Sequence, residues 1–188
     1  MNRVRTKVTS AKDNGGLHSP REFKKAKAML EDCSYKKPRL YHLCLMDSTQ
    51  VATYQDTIKA LVAELRRNKM PCQWKAALEK DETKYLHMHI YLLVEAIDSN
   101  PDNFLNRKNT GWLYTLAAKN DISFRLNHPR DPIHFKADGK HKNYATLPKS
   151  KPEKLADCIE WISYLYKMRS KPDIRQIYFS SRPGRAAT

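Results

Sequence analysis

The segment Leu40-Tyr41-His42-Leu43-Cys44-Leu45-Met46 is apolar and alternating enough to read as a buried strand. Asp47 or Ser48 then offers a helix N-cap. From Thr53 to Lys69, the residues Ile58, Leu61, Val62 and Leu65 recur at helical spacing, with Arg66, Arg67 and Lys69 in the last turn and Pro71 as the stop. Cys72 to Glu79 and Lys84 to Glu95 read as two strands of a hairpin around the polar turn Lys80-Asp81-Glu82-Thr83. A helix opens at Asn100-Pro101-Asp102 and extends to about Lys119. Ile122 to Leu126 is a weaker strand, Leu155 to Met168 a last helix, and Ile174 to Ser180 an edge strand. Arg21 to Leu30 forms a short basic helix after Ser19-Pro20.

This order predicts an α+β fold: a central antiparallel sheet with helices packed on one face, nearest to a ferredoxin-like or RRM-like arrangement. Residues 1–35 read as a basic N-terminal extension, 36–180 as the domain and 181–188 as a flexible tail.

Composition narrows the function classes. The chain has 188 residues, 40% of them hydrophobic, enough for one domain with a core. No apolar run is long enough to span a bilayer and no apolar segment follows the basic N-terminus, so the expected compartment is the cytoplasm, with no membrane partner. None of Cys33, Cys44, Cys72 and Cys158 forms a C-x-x-C pair, which argues against a structural zinc site. The net charge of +15 points to a polyanion, and nucleic acid is the usual one.

Candidate chemistry sits on the third strand. There, His87, His89, Tyr91 and Leu93 share one face, and Leu86, Met88, Ile90 and Leu92 share the other. The second set is uniformly apolar and faces the core, so the two imidazoles look into a site. Two same-face histidines can chelate one divalent ion. Glu79, on the preceding strand of the hairpin, completes a set of two nitrogens and a carboxylate, with Gln73 or Asp81 as alternatives. Mg²⁺ or Mn²⁺ would suit a site that polarises a phosphate.

The last helix carries a second pattern, Tyr164-Leu165-Tyr166-Lys167. At about 100° per residue, Tyr164 and Lys167 share a side while Tyr166 lies about 200° from Tyr164 and continues the apolar stripe. A phenol beside an ammonium can serve as a nucleophile that keeps the energy of a phosphodiester in a covalent phosphotyrosine. Between His134 and Lys154 the chain is basic and irregular. Lys136, Lys140, Lys142, Lys149 and Lys151 are expected to track a phosphate backbone there, and Tyr144 to stack a base.

Taken together, the apolar strand ending Leu43-Cys44-Leu45-Met46-Asp47-Ser48, the pair His87-Met88-His89 and the helix Ile162-Ser163-Tyr164-Leu165-Tyr166-Lys167 resemble the three motifs of the HUH endonucleases. Within that superfamily the resemblance is closest to the inovirus-type rolling-circle replication proteins and their prophage and plasmid relatives. It covers roughly residues 39 to 180. The first motif departs from the pattern in lacking a run of hydroxyl residues, and Tyr164 and Tyr166 do not form the two-tyrosine spacing of some initiators. The resemblance implies a metal-dependent, sequence-specific single-strand DNA nickase and strand transferase. Such an enzyme forms a 5′-phosphotyrosine at Tyr164, works at a replication or transfer origin, and takes a host helicase as a further partner. A non-catalytic basic nucleic-acid-binding module is the alternative from another class; it explains the charge and leaves the histidine pair and Tyr164-Lys167 unaccounted for.

Overall fold

The computed structural model describes residues 17–80, 86–96, 105, 111–127, 144–147, 150–167, 171–172 and 176–181. In chain order the elements are α1 (Pro20–Glu31), β1 (Pro38–Met46), α2 (Val51–Arg67), β2 (Cys72–Lys80), β3 (Leu86–Glu95), α3 (Trp112–Lys119), β4 (Ser123–Asn127), β5 (Tyr144–Thr146), α4 (Pro152–Ser163), a 3₁₀ turn (Tyr164–Tyr166) and β6 (Tyr178–Ser180).

Local chemistry sets several boundaries. Ser19 caps α1 by accepting from the Glu22 amide at 3.4 Å, and Pro20 occupies the first turn, where its missing N–H costs nothing. The N-cap of α2 is Gln50 rather than the predicted Asp47 or Ser48. Asp47 instead takes a left-handed φ of 70°, and the Ser48 hydroxyl accepts from the Gln50 amide at 3.1 Å, so these residues form the bend that precedes the helix. At its other end Lys69 is left-handed, and the Met70 amide reaches back to the Leu65 carbonyl at 2.9 Å, which closes the helix before Pro71.

The six strands form one antiparallel sheet in the order β4-β1-β3-β2-β6. The β1-α2-β2-β3-α3-β4 segment thus has the ferredoxin-like strand order 4-1-3-2, and the structure is α+β as the pattern predicts. β4 and β5 lie end to end along the outer edge of β1: β4 pairs with His42 to Met46 and β5 with Arg39 to Tyr41. β6 closes the opposite edge.

Alternation in the central strands divides the core between the two faces. On one face Tyr41, Leu43, Leu45, Met88, Ile90 and Leu92 pack against Ile58, Leu61 and Leu65 of α2 and Leu113 and Leu116 of α3. Each such buried side chain contributes roughly 1.5–3 kcal/mol. The opposite face is covered as well. Leu40, Ala77, Tyr91 and Leu93 meet Ala26, Met29 and Leu30 of α1 and Cys158, Trp161 and Ile162 of α4. α1 therefore belongs to the folded unit, although it falls within the stretch read from sequence as an extension. Ala26, Met29 and Leu30 form the short apolar stripe that docks it. Among the described residues no helix is long and apolar enough to cross a membrane.

Candidate metal centre

The face bearing α1 and α4 also holds the polar cluster. Antiparallel pairing sets Glu79 directly opposite His87, and Ala77 opposite His89, so the hairpin alone brings one carboxylate and two imidazoles to the same surface. The Glu79 Oε2 atom lies 3.7 Å from His87 Nε2 and 3.5 Å from His89 Nε2. One ligand atom from each of the three residues falls within 4.8 Å of the others. Neighbouring donors bound octahedrally at about 2.1 Å stand about 3.0 Å apart, so with slight closure the three groups could hold a small divalent cation. Of the alternatives to Glu79, Gln73 pairs with Leu93 at the far end of the hairpin, and Asp81 lies outside the described residues.

Two ammonium groups meet the same carboxylate. Lys167 Nζ donates to Glu79 Oε2 at 2.8 Å and Lys171 Nζ to Oε1 at 2.9 Å. Glu79 is 1% exposed, so its charge would be costly without these partners. Burial pushes its pKa upward, but the attraction of His87, His89, Lys171 and Lys167 outweighs that, and the carboxyl is held well below the usual range. Burial acts the other way on imidazole: His89 is pushed down to about 3 despite the attraction of Glu79, and His42 falls well below its ordinary value. Burial also lowers Lys171, with Glu79 opposing the shift.

Tyr164 stands over this cluster. Its ring centroid is 5.2 Å from that of His89, at 78°, and the Lys167 ammonium lies 3.6 Å from the ring centre. Burial and Glu79 raise the phenol above its ordinary pKa, while Lys167 pulls it down without prevailing. The expected helical geometry is refined: α4 ends at Ser163, and Tyr164 to Tyr166 form a tighter 3₁₀ turn. The Ser163 hydroxyl donates to the Glu160 carbonyl at 2.6 Å, a local bond that competes with the helix ladder. A turn of three residues still places Tyr164 and Lys167 on one side. Tyr166 points away, 1% exposed, stacked on Tyr178 at 5.1 Å and tilted against Phe23.

Of the predicted nucleic-acid contacts, only Tyr144 and Lys151 fall among the described residues. Lys136, Lys140, Lys142 and Lys149 lie outside the described residues. Lys151 is exposed ahead of α4, a helix length of roughly 18 Å from Tyr164. Tyr144 is not a free stacking platform. It is buried on β5 against Tyr41, with the Arg39 guanidinium 4.4 Å above its ring, because the register of β5 sets it opposite Tyr41 on the core face.

Sequence reasoning missed two members of the cluster. His42 Nε2 lies 2.9 Å from His89 Nδ1. Its signal was a ring nitrogen at an alternate position of an otherwise apolar strand. Lys171 left no signal, since nothing local ties it to Glu79. Comparison with protein-family models, with characterised proteins and with solved structures finds no match.

Proposed function

We propose that the chain is a metal-dependent single-strand DNA nickase and strand transferase, with Tyr164 as nucleophile and Glu79, His87 and His89 as cation ligands. The observation that carries this reading is the meeting of Tyr164 with the ligand set: its ring lies 5.2 Å from that of His89 and under the Lys167 ammonium. The cluster has one carboxylate against two ammonium groups, which favours an anionic substrate such as a phosphodiester.

Glu79, His87 and His89 would hold Mg²⁺ or Mn²⁺, which when bound would supply Lewis-acid polarisation of the phosphate. The chain's own groups do the rest. The Tyr164 oxygen forms a bond to phosphorus and the bond to the 3′-oxygen breaks. The proton lost by the phenol ends, through solvent, on the 3′-oxygen, which leaves a 3′-hydroxyl and a 5′-phosphotyrosine. Reversal with a second 3′-hydroxyl joins strands. Lys167 steadies the charge developing on the phenol oxygen and the phosphate. Single-stranded DNA at an origin is the partner this chemistry requires.

The test is to incubate the protein with labelled single-stranded DNA from its own locus and Mn²⁺ and look for an adduct that survives SDS. Wild type and Tyr166→Phe form it. Tyr164→Phe does not, while keeping Mn²⁺ affinity and thermal midpoint. An adduct mapped to another tyrosine overturns the assignment. A wild type that binds DNA in chelator and never forms an adduct favours a non-catalytic binding module.

A further inference from the structure

We propose that His42 is a positioning residue for the cation ligand His89, accepting a hydrogen bond from its Nδ1–H so that the Nε2 lone pair faces Glu79. The proposal rests on the metal-centre part of the reading above and is independent of the nickase chemistry.

A neutral imidazole has one N–H and one lone pair, and a ligating nitrogen must offer the lone pair. His89 Nε2 is the atom turned toward Glu79 Oε2, at 3.5 Å. With a cation held between these two atoms the ring proton belongs on Nδ1, and an acceptor there fixes both tautomer and ring angle. His42 Nε2 stands at that position, 2.9 Å away. The side-chain amide of Asn127 approaches the same His42 nitrogen at 3.5 Å. An amide nitrogen can only donate, so Asn127 favours His42 Nε2 as the acceptor and places the His42 proton on Nδ1.

The fold holds His42 firmly in this role. Register sets Tyr91 opposite His42 and Cys44 opposite His89, so the two histidines are diagonal neighbours across β1 and β3. The His42 ring stacks on Tyr91 at 4.3 Å and 13°, and the Trp161 ring stands T-shaped to it at 5.7 Å and 79°. Tyr91 in turn donates to the Trp161 carbonyl at 2.7 Å, which ties the strand to α4 just ahead of Tyr164. His42 is only 5% exposed, so water does not readily substitute for it.

The experiment is calorimetric titration of the full chain with Mn²⁺. His42→Phe keeps a flat ring on Tyr91 and removes the acceptor. His42→Gln restores an acceptor oxygen near the Nε2 position. The phenylalanine variant should bind Mn²⁺ about 10- to 100-fold more weakly and the glutamine variant within about 3-fold of wild type. Both should melt close to wild type in chelator. Wild-type affinity in His42→Phe, or equal weakening in both variants, overturns the proposal. Long-range ¹⁵N spectra of the imidazoles in Mg²⁺-saturated wild type give a readout that needs no variant: an Nδ1–H tautomer at His42 supports its acceptor role, and an Nε2–H at His42 overturns it. A wild type that takes up no Mn²⁺ overturns the metal centre itself, a result distinct from an affinity that the substitution leaves unmoved.

Discussion

Glu79 is the residue on which the site turns, because it is a buried anion shared by two imidazoles and two ammonium groups. Lys171→Met removes one of its partners and leaves Lys167 at 2.8 Å. In chelator the variant should lose about 2 kcal/mol, less than for a buried charge left with no partner at all. In saturating Mn²⁺ the deficit should shrink, since Glu79 then has a divalent partner. Urea unfolding under the two conditions measures this, and a deficit equal in both would separate Lys171 from the metal centre. At this scale the sequence was legible where short-range geometry decides. Period-2 alternation placed His87 and His89 on one face, and the tight hairpin placed Glu79 opposite. His42 left only the weak signal of a polar ring in an apolar strand, because its place beside His89 is set by β1–β3 register, and Lys171 left none, because it arrives through chain beyond the last helix. Tyr144 was misread because an aromatic among lysines looks exposed until its strand partner is known.

Among the elements, α1 departs most from what its sequence suggests. Lys24, Lys25 and Lys27 make it look like a solvated basic segment, yet Ala26, Met29 and Leu30 bury a narrow stripe against α4. It also supports the 3₁₀ turn that carries Tyr164, because Phe23 packs on Tyr166 at 5.7 Å and the His18 amide donates to the Tyr166 carbonyl at 2.7 Å. Leu30→Ala should therefore cost about 3 kcal/mol, the range for a leucine deleted from a core. Denaturant unfolding tests it, and a loss below about half a kilocalorie, typical of surface substitutions, would return α1 to the status of an appendage. The order of elements was readable because apolar period and turn residues are local signals. Strand order followed only through the ferredoxin-like arrangement that this element order suggests, while the register of β1 on β3 is a long-range choice made by the packing of both faces. β5 escaped for a simpler reason: three residues are too few to establish a period.

Two effects belong to the molecule as a whole, and the first is its charge of +15. If the segment carrying Lys136, Lys140 and Lys142 tracks a phosphate backbone, neutralising these three should flatten the dependence of log affinity on log salt by about two to three units. An unchanged slope would move the track to the end of α2, at Arg66, Arg67 and Lys69.

The second effect is the response of global stability to acid, and its sign follows from which groups the fold keeps unprotonated. His42 and His89 are buried as neutral rings with pKa values depressed from 6.5, so the unfolded chain binds protons there that the native state refuses. Stability must then fall as pH drops below about 6.5, by ~1.4 kcal/mol per pH unit for each histidine fully protonated only when unfolded. Two such groups give a slope of about 2.7 kcal/mol per unit near pH 5. Glu79 acts in the same direction at lower pH. Its folded pKa lies below its ordinary 4.5, so the stability from its ion pairs is present above that value and is lost as acid titrates the folded carboxyl. Above about pH 7 all three groups have the same protonation folded and unfolded and contribute no slope. Urea midpoints in chelator between about pH 7.5 and 4.5 should therefore start level and descend with increasing steepness. A curve that stays flat to about pH 5 would mean that the His42–His89 pair opens to solvent and takes up protons without unfolding the sheet around it.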